Sequence, residues 1–191
     1  MGRELRSIDP DAIYHAVPAG SNGGRITWDD RDCESLLLDL AKAAVRYNWD
    51  VFAWCVMSTH YHVLLRTTEN GFSAGLQLVN GNHSRRTNRR HGRSAHLFKN
   101  RPYARLVEND AHLVTAIRYV LRNPIAAGIC DYASQWPYSS YRATVDLAEP
   151  PPWLNVSALR DLLGGPQEVE RLVHNGHLPV SDTSPGTASP E

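Results

Sequence analysis

Val51-Phe52-Ala53-Trp54-Cys55-Val56-Met57-Ser58-Thr59-His60-Tyr61-His62-Val63-Leu64-Leu65-Arg66 is the stretch on which the fold turns. Residues 51–57 are dense in apolar and aromatic side chains, which suits a buried strand. Ser58-Thr59 fits a tight turn and residues 60–66 read as a second strand, so the whole is a β-hairpin. On a strand, residues i and i+2 share a face. His60 and His62 therefore point to one side, while Tyr61, Val63 and Leu65 point to the other, into a core. Two neutral imidazoles side by side make half of a divalent-metal site, or they are simply two histidines lining a polar face.

Outward from the hairpin, the chain alternates strand and helix signals. Ile13–Val17 reads as a short strand followed by a Gly/Asn-rich loop at residues 20–24. Residues 29–47 carry Leu36, Leu37, Leu40, Ala44 and Tyr47 at near-helical spacing, with Asp29 or Asp30 as the N-cap. On the other side, residues 73–90 read as a helix with Leu76, Leu78 and Val79 inside and a basic second half, ended by Gly92. Residues 101–107 form another strand, with Pro102 near its start, where proline is tolerated. Asp110 is the expected N-cap of a helix running to about Leu121, with Pro124 just past it or breaking it.

The order strand, helix, strand, strand, helix, strand, helix predicts an α+β fold: a ferredoxin-like antiparallel sheet with helices on one face and the other face free for a substrate. Two short helices, Val156–Leu163 and residues 166–174, extend it beyond the loop-like Trp136-Pro137-Tyr138-Ser139-Ser140-Tyr141 and the Pro150-Pro151-Pro152 junction. The expected division is a main domain over residues 1–145, a helical extension over 146–178 and a disordered Ser/Thr/Pro/Gly-rich tail over 179–191.

The segment Arg118-Tyr119-Val120-Leu121-Arg122-Asn123-Pro124 carries the second chemical signal. Tyr119 and Asn123 are four apart, so on a helix they share a face. A tyrosine hydroxyl can attack a phosphodiester, but with a pKa near ~10 it needs activation. An adjacent metal could orient the phosphate, and the Asn123 carbonyl could complete a His-His-amide site. Alternatively, Tyr119 is a core aromatic and Asn123 a helix-ending residue before proline.

Charge supplies the third signal. The 191 residues hold 20 Lys+Arg and 20 Asp+Glu, a net charge of zero, but their distribution is uneven. No acid lies between Glu69 and Glu108, a window that holds Arg85, Arg86, Arg89, Arg90, Arg93, Lys99, Arg101 and Arg105. Such local basicity is what a phosphate-binding surface needs. Phe98 and Tyr103, in the same window, are either base-stacking platforms or core.

Other classes lack their signals. Cys33, Cys55 and Cys130 are odd in number and widely spaced, which suits neither a disulfide framework nor a thiolate zinc site; they read as small buried hydrophobes. There is no apolar run long enough to span a membrane, and residues 1–10 lack the apolar core of a signal peptide, so a cytoplasmic location is expected.

Five ordered segments resemble the single-tyrosine HUH transposases, and within them the REP-associated tyrosine transposases. They are Tyr14-His15-Ala16-Val17, the strand at residues 56–65, the basic helix end and loop at 88–98, residues 118–128, and Trp136-Pro137-Tyr138-Ser139-Ser140-Tyr141. The likeness runs from about residue 12 to residue 144. It implies a nuclease domain in which Tyr119 is the nucleophile and His60, His62 and Asn123 hold Mg²⁺ or Mn²⁺. The implied reaction cleaves single-stranded DNA at hairpin-bearing sites through a 5′-phosphotyrosine and rejoins it with the freed 3′-OH. The working unit is a monomer or a homodimer. Two positions depart from the family pattern. Tyr61 is bulkier than the usual aliphatic residue between the histidines, and Pro18-Ala19-Gly20 replaces a basic residue with Gly-Asn.

Three other readings compete. A domesticated, catalytically inactive DNA-binding regulator of the same fold has no need of all four candidate side chains. An RNA-binding sheet would carry aromatics where the histidines stand. A zinc hydrolase would carry an H-E-x-x-H or a nearby carboxylate, and neither is present.

Overall fold

The computed structural model describes residue 9 and residues 12–67, 71–99 and 102–175. The hairpin forms as its sequence predicts, from β2 (Asp50–Val56) and β3 (Tyr61–Arg66). β1 (Ile13–Val17) lies antiparallel between β3 and β4 (Tyr103–Val107), giving the order β2-β3-β1-β4. With α1 (Asp30–Arg46) after β1 and α2 (Gly71–Arg90) after β3, the chain has the βαββαβ topology of a ferredoxin-like α+β fold.

One face of the sheet packs on α1 and α2. Tyr14, Ala16, Tyr61, Val63 and Leu65 meet Leu36, Leu40, Leu76 and Val79 there. Tyr61 is completely buried, its ring edge-on to Phe98, and its hydroxyl donates to Asn80 Oδ1 at 2.9 Å. The bulk between the two histidines is thus absorbed by the core and its polar end is satisfied. Phe98 belongs to this core, which removes it as a base platform. Gly75 allows α2 to close on the sheet, because a Cβ there would sit 2.2 Å from the Trp49 ring.

The second face differs from the expectation that helices cover one side alone. α3 (Asp110–Ala126), α5 (Val156–Leu163) and α6 (Pro166–Asn175) build a second core over Phe52, Ala53, Cys55 and Leu64. A bulge in β2 feeds it: Val51 pairs with Leu65 but Ala53 pairs with Leu64, so Phe52 and Ala53 both serve this side. The physical reason for the second layer is apolar demand. Leu159, Leu163, Val169, Leu172 and Val173 on α5 and α6 need partners, and Ile117, Val120 and Leu121 on α3 supply them. Arg118 Nε donates to the Leu172 carbonyl and Arg122 Nη1 to that of Val173, at 3.0 and 2.9 Å, satisfying carbonyls that α6 leaves open at its C-terminal end. What remains uncovered on this face is a pocket.

Boundaries shift for identifiable reasons. Asp29 caps α1 by accepting from the Asp32 N–H. Asn109, rather than Asp110, caps α3, accepting from the His112 N–H at 2.9 Å. Pro124 does not end α3: a proline forfeits one intrahelical bond, and the final turn still closes through Ala127 N–H to Asn123 O. His60 precedes β3 and is held by a bridge to Ala19. The segment expected as a loop after Trp136 contains α4 (Tyr141–Thr144) and covers the outer edge of β2, where the Val56 N–H donates to Tyr138 O and the Ser140 N–H to Trp54 O. Cys33 and Cys55 are buried and free as expected; Cys130, also free, is only half-buried. Among the described residues no helix is long and apolar enough to cross a membrane. The tail at 179–191 and Arg101 lie outside the described residues.

Candidate active site

Three elements meet at the pocket. β3 and the residue before it deliver His62 and His60, with ring centroids 4.8 Å apart. α3 lies across the same face and delivers Tyr119, whose ring stands edge-on to His62 at 5.4 Å and to His15 at 5.9 Å. One turn further along α3, the Asn123 side chain stands beside His60 and supports its basicity. The structure brings together the four side chains that the sequence singles out: His60, His62, Tyr119 and Asn123. Tyr119 is 56% exposed, which is unlike a packing aromatic, whereas Asn123 is 9% exposed and sits inside the helix rather than ending it.

The pocket measures about 990 Å³. His15, His60, His62, Tyr103, Arg105 and Tyr119 are among its lining residues, together with Lys99 and Ala19. The Lys99 N–H donates to the Ala19 carbonyl at 2.9 Å, so Lys99 supplies a cation next to the Pro18-Ala19-Gly20 loop that lacks one. Tyr103 is 59% exposed here and remains open to a stacking partner. Among the described residues no carboxylate lines this pocket.

The imidazoles are held neutral. Burial lowers His15 to about 4, helped by the charges of His112 and Arg105. His62 is pushed further down, first by burial and then by its His15 and His60 neighbours. Burial also lowers His60, opposed by the neighbouring Asn123 side chain. Neutral imidazoles keep a lone pair for a cation. Among the described residues, no group of three or more His, Cys, Asp or Glu side chains is arranged to hold a metal. The donor set here is instead two imidazoles and an amide. His62 Nε2 is buried with no hydrogen-bond partner, an orphan that a cation would satisfy, so the residues fit a divalent ion.

The basic window divides. Arg86 is spent on structure: its guanidinium forks onto Asp39, which is fully buried, at 2.9 and 3.1 Å. Arg90 is spent likewise on Asp29 and Asp32, and its bond holds Asp29 down at about 2. These two correct the expectation that all eight cations face a phosphate backbone. Lys99 and Arg105 line the pocket. Arg85, Arg89 and Arg93 are exposed along α2 and the following loop, Arg93 over the Trp28 ring at 5.0 Å.

Sequence reasoning missed His15 and His112. His15 had a legible signal: it interrupts an otherwise apolar strand. Its partnership with His62 depended on register, which pairs His15 with Leu64 and so sets His62 on the diagonal of the same face.

Fold and pocket together define the class: a ferredoxin-like domain with paired histidines at the start of a strand and an exposed tyrosine facing them from a helix. Within it, the chain resembles the REP-associated tyrosine transposases in sequence and in fold. A provisionally named REP-associated tyrosine transposase of Haemophilus influenzae is 24% identical over 110 residues, which is 52% of this chain and 62% of that protein. The match thus spans less than two thirds of the relative's length. A solved REP-associated tyrosine transposase, bound to a REP hairpin, superposes with a TM-score of 0.61 over 79% of this chain and 89% of its own, at 17% identity, a likeness of fold. No protein-family model matches the chain.

Proposed function

We propose that this protein is a single-strand DNA endonuclease and strand transferase that works through Tyr119 on hairpin-bearing DNA. The observation that carries the reading is the meeting of Tyr119 with His60 and His62 in one open pocket with no acid among its described lining residues, with Asn123 beside His60. Both relatives are named as REP-associated tyrosine transposases, and one of them is bound to a REP hairpin.

Tyr119 Oη attacks the scissile phosphorus. A bond forms between that oxygen and phosphorus, the bond from phosphorus to the 3′ oxygen breaks, and the tyrosine proton is balanced by the new 3′-OH. The product is a 5′-phosphotyrosine. Attack by a 3′-OH on that linkage reverses the exchange and reseals the strand. Each step trades one phosphodiester for another, so no ATP is consumed. His60, His62 and the Asn123 carbonyl would hold Mg²⁺ or Mn²⁺, which when bound supplies charge to the scissile phosphate. The α3 scaffold keeps Tyr119 beside the phosphate position, replacing a chance encounter with an oriented one. Lys99 and Arg105 hold the backbone in the pocket, and Arg85, Arg89 and Arg93 extend the contact. Tyr103 offers an unpaired base a stacking face.

The test is adduct formation. The protein is incubated with labelled single-stranded hairpin oligonucleotides and Mn²⁺ or Mg²⁺, beside Tyr119→Phe, and resolved on a denaturing gel. A covalent adduct confined to wild type supports the reading. Binding without an adduct, in either metal, favours the inactive DNA-binding regulator.

A further inference from the structure

The two nitrogens of His62 have different surroundings. Nδ1 lies 3.0 Å from His15 Nε2. Nε2 is buried and has no hydrogen-bond partner among the described residues. Two ring nitrogens facing each other share one proton, so one ring donates and the other accepts. If His15 donated, neutral His62 would carry its proton on Nε2, a buried N–H aimed at no acceptor. If His62 donates, its Nε2 is a bare lone pair.

The arrangement is built into the sheet. β1 pairs His15 with Leu64 and Ala16 with Val63, which places His15 diagonally across from His62 on the pocket face. The two ring centroids lie 5.1 Å apart, tilted by 35°, and the Tyr119 ring stands edge-on to both. Histidines that bind metals commonly donate their second ring N–H to an acceptor, which fixes tautomer and orientation.

We propose that His15 is a positioning residue for His62: it accepts the His62 Nδ1–H and so leaves the Nε2 lone pair free for a divalent cation. The inference rests on the metal reading of the proposed function. It adds a role for the first strand that neither the pair of histidines nor the tyrosine helix supplies.

Histidine-labelled, metal-free protein examined by ¹⁵N NMR tests it without catalysis. His62 is expected as the Nδ1–H tautomer with a bare Nε2. Mn²⁺ titration calorimetry then compares two variants. His15→Gln keeps an acceptor oxygen in place of Nε2 and is expected to keep both the tautomer and near wild-type affinity. His15→Phe keeps a ring against Tyr119 but has no acceptor, and its Mn²⁺ affinity is expected to fall roughly 10–100-fold. Should the phenylalanine variant not fold, the wild-type spectrum and the glutamine variant still decide. A proton on His62 Nε2 in a protein that binds Mn²⁺ overturns the role of His15 alone, as does unchanged Mn²⁺ binding by a folded His15→Phe. Wild-type protein that binds no Mn²⁺ overturns the metal reading and the positioning role with it.

Discussion

The Tyr119 ring meets the His62 ring edge-on, with centroids 5.4 Å apart. One ring comes from a strand and the other from a helix packed across that strand's face, and more than half of Tyr119 remains open to the pocket. A tyrosine held this way has its ring fixed by contacts and its hydroxyl left for a ligand. The contacts need only the ring, so Tyr119→Phe should leave unfolding free energy within about 0.5 kcal/mol of wild type. A urea titration showing a loss of several kcal/mol would make the hydroxyl structural.

His60→Ala should abolish cleavage while leaving hairpin DNA affinity within a few-fold of wild type. His60 belongs to the candidate metal site, whereas phosphate contacts come mainly from the cations. Fluorescence anisotropy beside the cleavage gel checks this. Binding that falls as far as cleavage contradicts the division of labour.

The arginines should separate into two behaviours. Arg86→Ala removes the forked partner of the fully buried Asp39, leaving it only Asn82 at 3.5 Å and Lys42 at 4.0 Å, and should cost about 3–5 kcal/mol in urea unfolding. Arg89→Ala, on an exposed site, should leave stability nearly unchanged but weaken single-strand binding. It should also reduce the slope of log affinity against log salt by roughly 0.7. The reverse pattern would mean that the ion-pair assignment is wrong.

Acid should destabilise the metal-free protein through its histidines. Burial lowers His15, His60, His62 and His83 below their ordinary value of 6.5. The unfolded chain then binds more protons than the folded one below pH 6.5, so stability falls as pH drops from there, through about 4 for His15. Urea midpoints at pH 7.5 and pH 5 read this directly. A higher midpoint at pH 5 contradicts neutral burial.

Much of this site was legible in local sequence because its geometry is local. Period two puts His60 and His62 on one side, and one helical turn puts Tyr119 above Asn123. The hairpin, the βαββαβ order and Asp29 as a cap follow from equally short patterns. What was not legible depends on distant partners. Arg86 meets Asp39 and Arg90 meets Asp29 across 47 and 61 residues, and no local charge count separates them from free cations. The second helical layer needed α5 and α6 to find α3. Pro124 looked like a terminator because a proline's cost is local, whereas the packing of Leu121 and Asn123 that keeps the turn helical is not.

The most direct test of the central claim is the covalent adduct itself. Hairpin oligonucleotide labelled on the 3′ side of the cleavage site is incubated with the protein and Mn²⁺, and the adduct is digested and mapped by mass spectrometry. A 5′-phosphate joined to the Tyr119 oxygen, absent from Tyr119→Phe, is the expected result. An adduct on any other residue, or cleavage that persists in Tyr119→Phe, would contradict it.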